Sequence, residues 1–233
     1  MFYRDETSAL SVQTNEVDNR VIAFRRHADG TLVQREVYPT GGAGDAKAHL
    51  ASQGSVMVTG DRRRVMVANA ASDDVTTFGA RRDGGLERIA TTPTGGGRVS
   101  VAEHHGLVYV LSTAKGAVSG FRMTDTGPAP IAGSEHGLST DEADPAQVGF
   151  TADGSVLIVT ERATDSIITF PVRLDGSLGR PEVAASSGPM PYGFALTAGG
   201  TLVVTEAFRA QKARRPPLPT PSAAPICRRS PPR

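Results

Sequence analysis

An all-β repeat fold, a β-propeller of four-stranded antiparallel blades, is predicted by three features of this chain. The first is a recurring aliphatic-x-x-Phe element, seen at Val21 to Phe24, Val75 to Phe78, Val118 to Phe121 and Ile167 to Phe170. The second is its register. Each phenylalanine falls nine residues after a polar residue that ends the preceding apolar run: Asn15, Asn69, Ser112 and Glu161. Successive phenylalanines are 54, 43 and 49 residues apart, which matches the roughly 40–50 residues of one four-stranded blade. The third is a set of Asp-Gly pairs at 29–30, 83–84, 153–154 and 175–176 between apolar runs, a strong short-range signal for a tight hairpin.

The elements follow in order. Residues 1–15 supply an edge strand ending in 11–15, and 19–26 with 33–37 form a hairpin about Asp29-Gly30. The linker 40–54 is glycine-rich and long, the kind of loop that serves binding or stays disordered. The second unit comprises 55–59, 65–69, 75–78 and 86–91, with Asp83-Gly84 in its outer hairpin. A third has 99–102, 107–112, 118–123 and a degenerate turn at Asp125, and a fourth has 146–151, 156–161, 167–173 and 182–185. The fifth begins with 192–197 and 202–206 and then fails, because the register requires an aliphatic residue at 212 and an aromatic one at 215, where Lys212 and Arg215 stand. The expected division is therefore 1–208, a partial propeller of about four and a half blades, and 209–233, a basic proline-rich tail. Seven of the sixteen prolines lie in that tail, and proline cannot donate to a sheet ladder. Two readings stay open: a natural disordered tail that binds an SH3-type groove or an anionic partner, or an out-of-frame continuation of the gene.

Composition excludes several classes. The longest apolar run is far short of the ~20 residues of a membrane span, and the opening MFYRDETSAL has neither a basic n-region nor an apolar h-region. A cytoplasmic protein without a membrane partner is expected. A single cysteine, Cys227, leaves no internal disulfide and no cysteine-based metal site. The near-neutral net charge of +1 conceals two unlike parts. Residues 209–233 hold seven basic and no acidic side chains, whereas 1–208 hold 18 basic against 24 acidic. The body is therefore a poor match for a nucleic-acid backbone.

With the repeats, the Asp-Gly-x-Leu hairpins and the segments Ala-Asp-Pro-Ala-Gln-Val-Gly-Phe (143–150) and Pro-Tyr-Gly-Phe (191–194) in view, the chain resembles the lactonase family of seven-bladed β-propellers, 6-phosphogluconolactonase-like and carboxymuconate-cyclase-like proteins. Thr-Asn-Glu at 14–16 and Gly-Gly-Gly-Arg-Val-Ser-Val at 95–101 are the more specific marks, and the likeness spans 11–208. The resemblance implies a truncated member whose intact relatives hydrolyse a small sugar or organic-acid lactone. It implies no cofactor. It also implies a histidine beside proline at the start of an inner strand, but the residues beside Pro145 and Pro191 here are Ala146 and Tyr192, so no imidazole acid-base role carries over.

Blade geometry selects site candidates independently. An innermost strand starts on the face where the second strand ends, so both positions look toward one mouth of the central channel. Strand starts supply Arg98, Asp144, Gln147 and Tyr192; strand ends supply Asn15, Asn69, Ser112, Glu161 and Glu206. Arg98 offers a planar fork of donors for a carboxylate or phosphate. Glu161 or Glu206 is suited to draw a proton from water attacking a lactone carbonyl. Asp144, Gln147, Tyr192, Asn69 and Asn15 would bind substrate. The plainer account is that these groups end strands and satisfy loop backbone. His104-His105 belongs to a solvated turn on the opposite face, and His49 is the one histidine whose linker can fold over the mouth. No metal is expected. Neither a phosphate loop nor a Gly-x-Ser-x-Gly elbow is present. Two functions remain: a lactone hydrolase, or a non-catalytic propeller used as a scaffold or ligand-binding module.

Overall fold

The computed structural model describes residues 8–47, 52–97 and 99–207. Every regular element is a strand; no helix occurs among the described residues. The first blade is β1 (Ser8–Gln13), β2 (Arg20–Arg26) and β3 (Leu32–Pro39). The second is β4 (Val56–Val58), β5 (Arg64–Asn69), β6 (Asp74–Ala80) and β7 (Leu86–Pro93). The third is β8 (Val99–His104), β9 (Leu107–Ser112), β10 (Ala117–Thr124), β11 (Gly127–Pro130) and β12 (His136–Gly137). The fourth is β13 (Pro145–Phe150), β14 (Val156–Glu161), β15 (Ser166–Pro171) and β16 (Glu182–Ala185), and β17 (Pro191–Leu196) with β18 (Leu202–Glu206) starts a fifth. All pairings are antiparallel meanders. The expected strands are present, with ends moved by one to three residues.

The core lies between blades, and strand alternation explains how. In β5, Val65 and Val67 pack with Phe78 against Val21, Ala23 and Tyr38 of the first blade. The alternate residues Met66 and Ala68 pack with Val75 against Val101, Val108, Val110 and Phe121 of the third. A third cluster joins Tyr109, Leu111 and Val118 to Val148, Leu157, Val159, Ile168 and Phe170. A strand covered on both faces reads as a continuous apolar run, which is why 65–69 and 156–161 are legible as strands. The repeated phenylalanines Phe78, Phe121 and Phe170 are buried. Phe24 is half-buried, because its face of the first blade, shared with Leu10 opposite it, has no neighbouring blade among the described residues.

Two local features differ from expectation. β1 ends at Gln13, and Asn15 leaves the strand at φ 57°, a left-handed conformation that asparagine tolerates. The outer strand of the third blade is in two pieces: β11 pairs with Phe121 to Thr124 of β10 and β12 with Ala117 and Val118. Ser134 spans the break, its hydroxyl donating to Gly120 O and accepting from Gly120 N, both at 3.0 Å. Gly120 is required there, since a Cβ would lie 2.8 Å from the Tyr109 ring. The Tyr109 hydroxyl donates to Gly176 O at 2.7 Å, and burial raises its pKa to about 12.

The hairpins share a polar device. Asp153 accepts bonds from the Thr151 and Ser155 hydroxyls and from Ser155 N, and these lower its pKa from 3.8 to about 2. Asp29, Asp61 and Asp175 are lowered likewise, chiefly by hydroxyl donors on Thr31, Thr59 and Ser177. A depressed folded-state pKa gives stability that is present above the unfolded value and lost as pH falls through the folded one. The melting temperature is thus expected to hold from neutrality to near pH 3.8 and to fall toward pH 2, with a shallower fall in Asp153→Asn. A flat acid profile would contradict this.

Candidate functional site

Among the described residues, strand ends and strand starts lie side by side on one face of the blades. Pro145 pairs with Glu161 across β13 and β14, Pro191 with Glu206 across β17 and β18, and Val99 with Ser112 across β8 and β9. The side chains there divide into two groups.

The first group clamps the linkers between blades. Asn15 Nδ2 donates to Asp45 Oδ1 (2.7 Å) and to Lys47 O (3.1 Å), and its Oδ1 accepts from Asp45 N (3.2 Å). Asn69 is fully buried. Its amide donates to Asp74 Oδ1 (2.5 Å) and Thr76 Oγ1 (2.9 Å), while its oxygen accepts from Asn19 Nδ2 (2.6 Å) and Thr40 Oγ1 (2.8 Å). Ser112 donates to Gly96 O. Glu161 is fully buried, and its carboxylate accepts from Ser139 N (3.0 Å), the Ser139 hydroxyl and Thr164 Oγ1 (2.8 Å). Thr40, Gly96 and Ser139 each lie on the linker that leaves the preceding blade. In three consecutive blades the second-strand end therefore holds the incoming linker, and a carboxylate so engaged and shielded from water positions a loop.

The second group faces the channel mouth. Arg162 stands one residue beyond Glu161, in the turn that follows β14. Its guanidinium is paired with Asp144, donates to Asp144 O at 3.2 Å, and lies 5.5 Å from the centre of the Tyr192 ring. Gln147 joins neighbouring inner strands as a side-chain substitute for a peptide: Nε2 donates to Phe194 O (3.1 Å) and Oε1 accepts from Phe194 N (2.8 Å). Ser100 makes the same bridge one gap earlier, accepting from Val148 N at 3.2 Å. The last part of the long linker crosses this face, where Gln53 N donates to Ala146 O at 2.8 Å. Glu206 is exposed beside Gly188, where a Cβ would meet its carboxylate.

Arg98 and His49 lie outside the described residues, as does the segment 209–233. His104 meets His105 edge-to-face with ring centres 4.3 Å apart and packs on Phe150 at the opposite face. No cluster of three potential metal ligands occurs among the described residues. Sequence reasoning missed Arg162 and Gln53. Arg162 lies in a turn, where no strand alternation applies, and nothing in the composition of the linker marks Gln53.

A family model described as "Lactonase, 7-bladed beta-propeller" matches residues 2–128 and 100–213. None of the curated proteins matches the chain. Among solved structures, the chain is similar to a candidate 6-phosphogluconolactonase from Bacteroides fragilis, with TM-score 0.69 and 15% identity over 90% of this chain and 64% of that one. It is also similar to a second such protein from Bacteroides uniformis, with TM-score 0.69 and 15% identity over 88% of this chain and 62% of that one. A third is the periplasmic gluconolactonase of Pseudomonas aeruginosa, with TM-score 0.62 and 20% identity over 85% of this chain and 59% of that one. At such identities the likeness is one of fold. The chain spans about 64% of the length of the first of these structures.

Proposed function

The chain belongs to the lactonase, 7-bladed beta-propeller family, and from that premise we propose that its channel mouth is that of a hydrolase acting on a small sugar or organic-acid lactone, with this polypeptide supplying about four and a half of seven blades. The observation that carries the reading is Arg162, held between the Asp144 carboxylate and the Tyr192 ring. A guanidinium fixed in this way presents its remaining donors to a carboxylate or phosphate on the substrate. Gln147 and Ser100 tie the inner strands together and so keep the mouth rigid.

Glu206 is the base in this scheme, because it is the exposed candidate carboxylate. It takes a proton from water as the water oxygen bonds to the lactone carbonyl carbon. The tetrahedral oxyanion then collapses, the ring C–O bond breaks, and the proton passes from Glu206 to the departing alkoxide. Arg98 is proposed as a second cation for the oxyanion or the substrate's acidic group. Glu161 and Asn69 serve the site by holding its linkers.

One observation favours the rival reading of a ligand-binding module: four of the five strand-end candidates are taken up by structural bonds. Turnover of a lactone panel separates the two. The hydrolase reading expects measurable hydrolysis that falls at least tenfold in Glu206→Gln and in Arg162→Ala, each loss corresponding to about 1.4 kcal/mol or more of transition-state stabilisation. Binding of the hydroxy acid without turnover would sink it.

A further inference from the structure

We propose that the cleft between the first and second blades, on the face away from the channel mouth, is a binding site for a small organic phosphate. The cleft has a volume of about 760 Å³, within the range that encloses a small ligand. Five arginines and one carboxylate line it: Arg25, Arg35, Arg62, Arg81, Arg82 and Asp83. This is a reversal of local charge, since residues 1–208 hold 18 basic against 24 acidic side chains.

The arginines come from four separate places: the end of β2, the first half of β3, and the two turns of the second blade at 59–63 and 81–85. Two of them are pre-oriented. Arg35 donates to Asp83 O, and Arg81 Nη2 donates to Leu86 O at 2.9 Å. Asp83 is occupied in turn, its carboxylate accepting from Gly85 N at 2.9 Å. Arg25, Arg62 and Arg82 are exposed, and their guanidinium groups have no hydrogen bond or ion pair among the described residues, so their forks are available to a ligand. The floor is apolar, formed by Val65 and Leu86 at the edge of the core between these blades. Guanidinium forks match phosphate geometry bidentately, and an apolar floor below them selects a phosphate that carries an organic body over the bare ion.

Calorimetric titration of the full chain with phenyl phosphate and with inorganic phosphate tests this. Phenyl phosphate is expected to bind saturably at low salt and at least tenfold more tightly than inorganic phosphate. Both titrations are made in the Arg162→Ala background so that the mouth does not report; there Arg25→Ala/Arg82→Ala is expected to weaken phenyl phosphate binding at least tenfold, and Arg62→Ala to weaken it independently from another turn. No saturable binding in that background, equal affinity for the two ions, or binding unchanged in the cleft variants would overturn the proposal.

Discussion

Asn69→Ala is expected to destabilise the protein by about 3–5 kcal/mol, a loss that only a few named mechanisms reach. All four hydrogen-bonding positions of the Asn69 amide are filled, and none of its surface meets solvent. Removing it takes a donor from the buried Asp74 carboxylate and leaves the Nδ2 of the buried Asn19 only its long 3.4 Å bond to Ala68 O. Each unmet buried group costs about 1–3 kcal/mol. The hydroxyls relax more easily, since Thr40 also donates to Asn19 O and Thr76 to Thr40 O. Water cannot readily replace the lost amide, because Gly42 backs it closely enough that a Cβ there would lie 2.4 Å from Asn69 Nδ2. Urea denaturation measures the effect, and a shift of less than about 1 kcal/mol would show that the node is not a structural keystone. Asn69→Asp adds a sign test. It sets a second carboxylate beside Asp74, so its loss should be greatest at neutral pH and diminish as acid protonates one of the pair.

Glu161→Ala is expected to cost about 3 kcal/mol and to loosen the linker that leads into β13. Its carboxylate gathers Ser139 N, the Ser139 hydroxyl and Thr164 Oγ1, and alanine leaves those donors unmet in a site closed to water. Glu161→Gln keeps an acceptor for Ser139 N, and hydroxyls can rotate to accept from the new amide, so a smaller loss of about 1–2 kcal/mol is expected. The order Ala worse than Gln, read by thermal denaturation, follows from the clamp geometry. If Glu161→Gln instead left stability unchanged and abolished lactone turnover, Glu161 would be a base.

The second, third and fourth blades were legible in the sequence because their second strands are covered on both faces, giving uninterrupted runs such as 156–161 and 107–112. Asp-Gly hairpins marked most of the outer turns. The outer strand of the third blade was not legible. It has no Asp-Gly turn and is interrupted by residues 131–135, where Ser134 replaces the ladder with two bonds to Gly120. The mouth was half legible. Position along a blade showed which residues reach that face, but the direction of Asn15, Asn69 and Glu161 depends on where the linkers run. That course is fixed by contacts 22 to 32 residues away in sequence, such as Glu161 with Ser139 and Asn15 with Lys47. Arg162 was not legible, because it lies in the turn after β14 and its place is fixed by Asp144, 18 residues away. Nor was Gln53, since a backbone bond to Ala146 leaves no trace in side-chain chemistry.

The most direct measurement is calorimetric titration of the full chain with gluconate, a hydroxy-acid product that carries no phosphate. It is made in the Arg25→Ala/Arg82→Ala background so that the mouth alone reports. Saturable binding that weakens at least tenfold on adding Arg162→Ala, and changes less than twofold on adding Glu161→Gln, is the predicted result. Binding that survives Arg162→Ala and is lost with Glu161→Gln would contradict the division of the strand-end residues into linker clamps and a channel-mouth site.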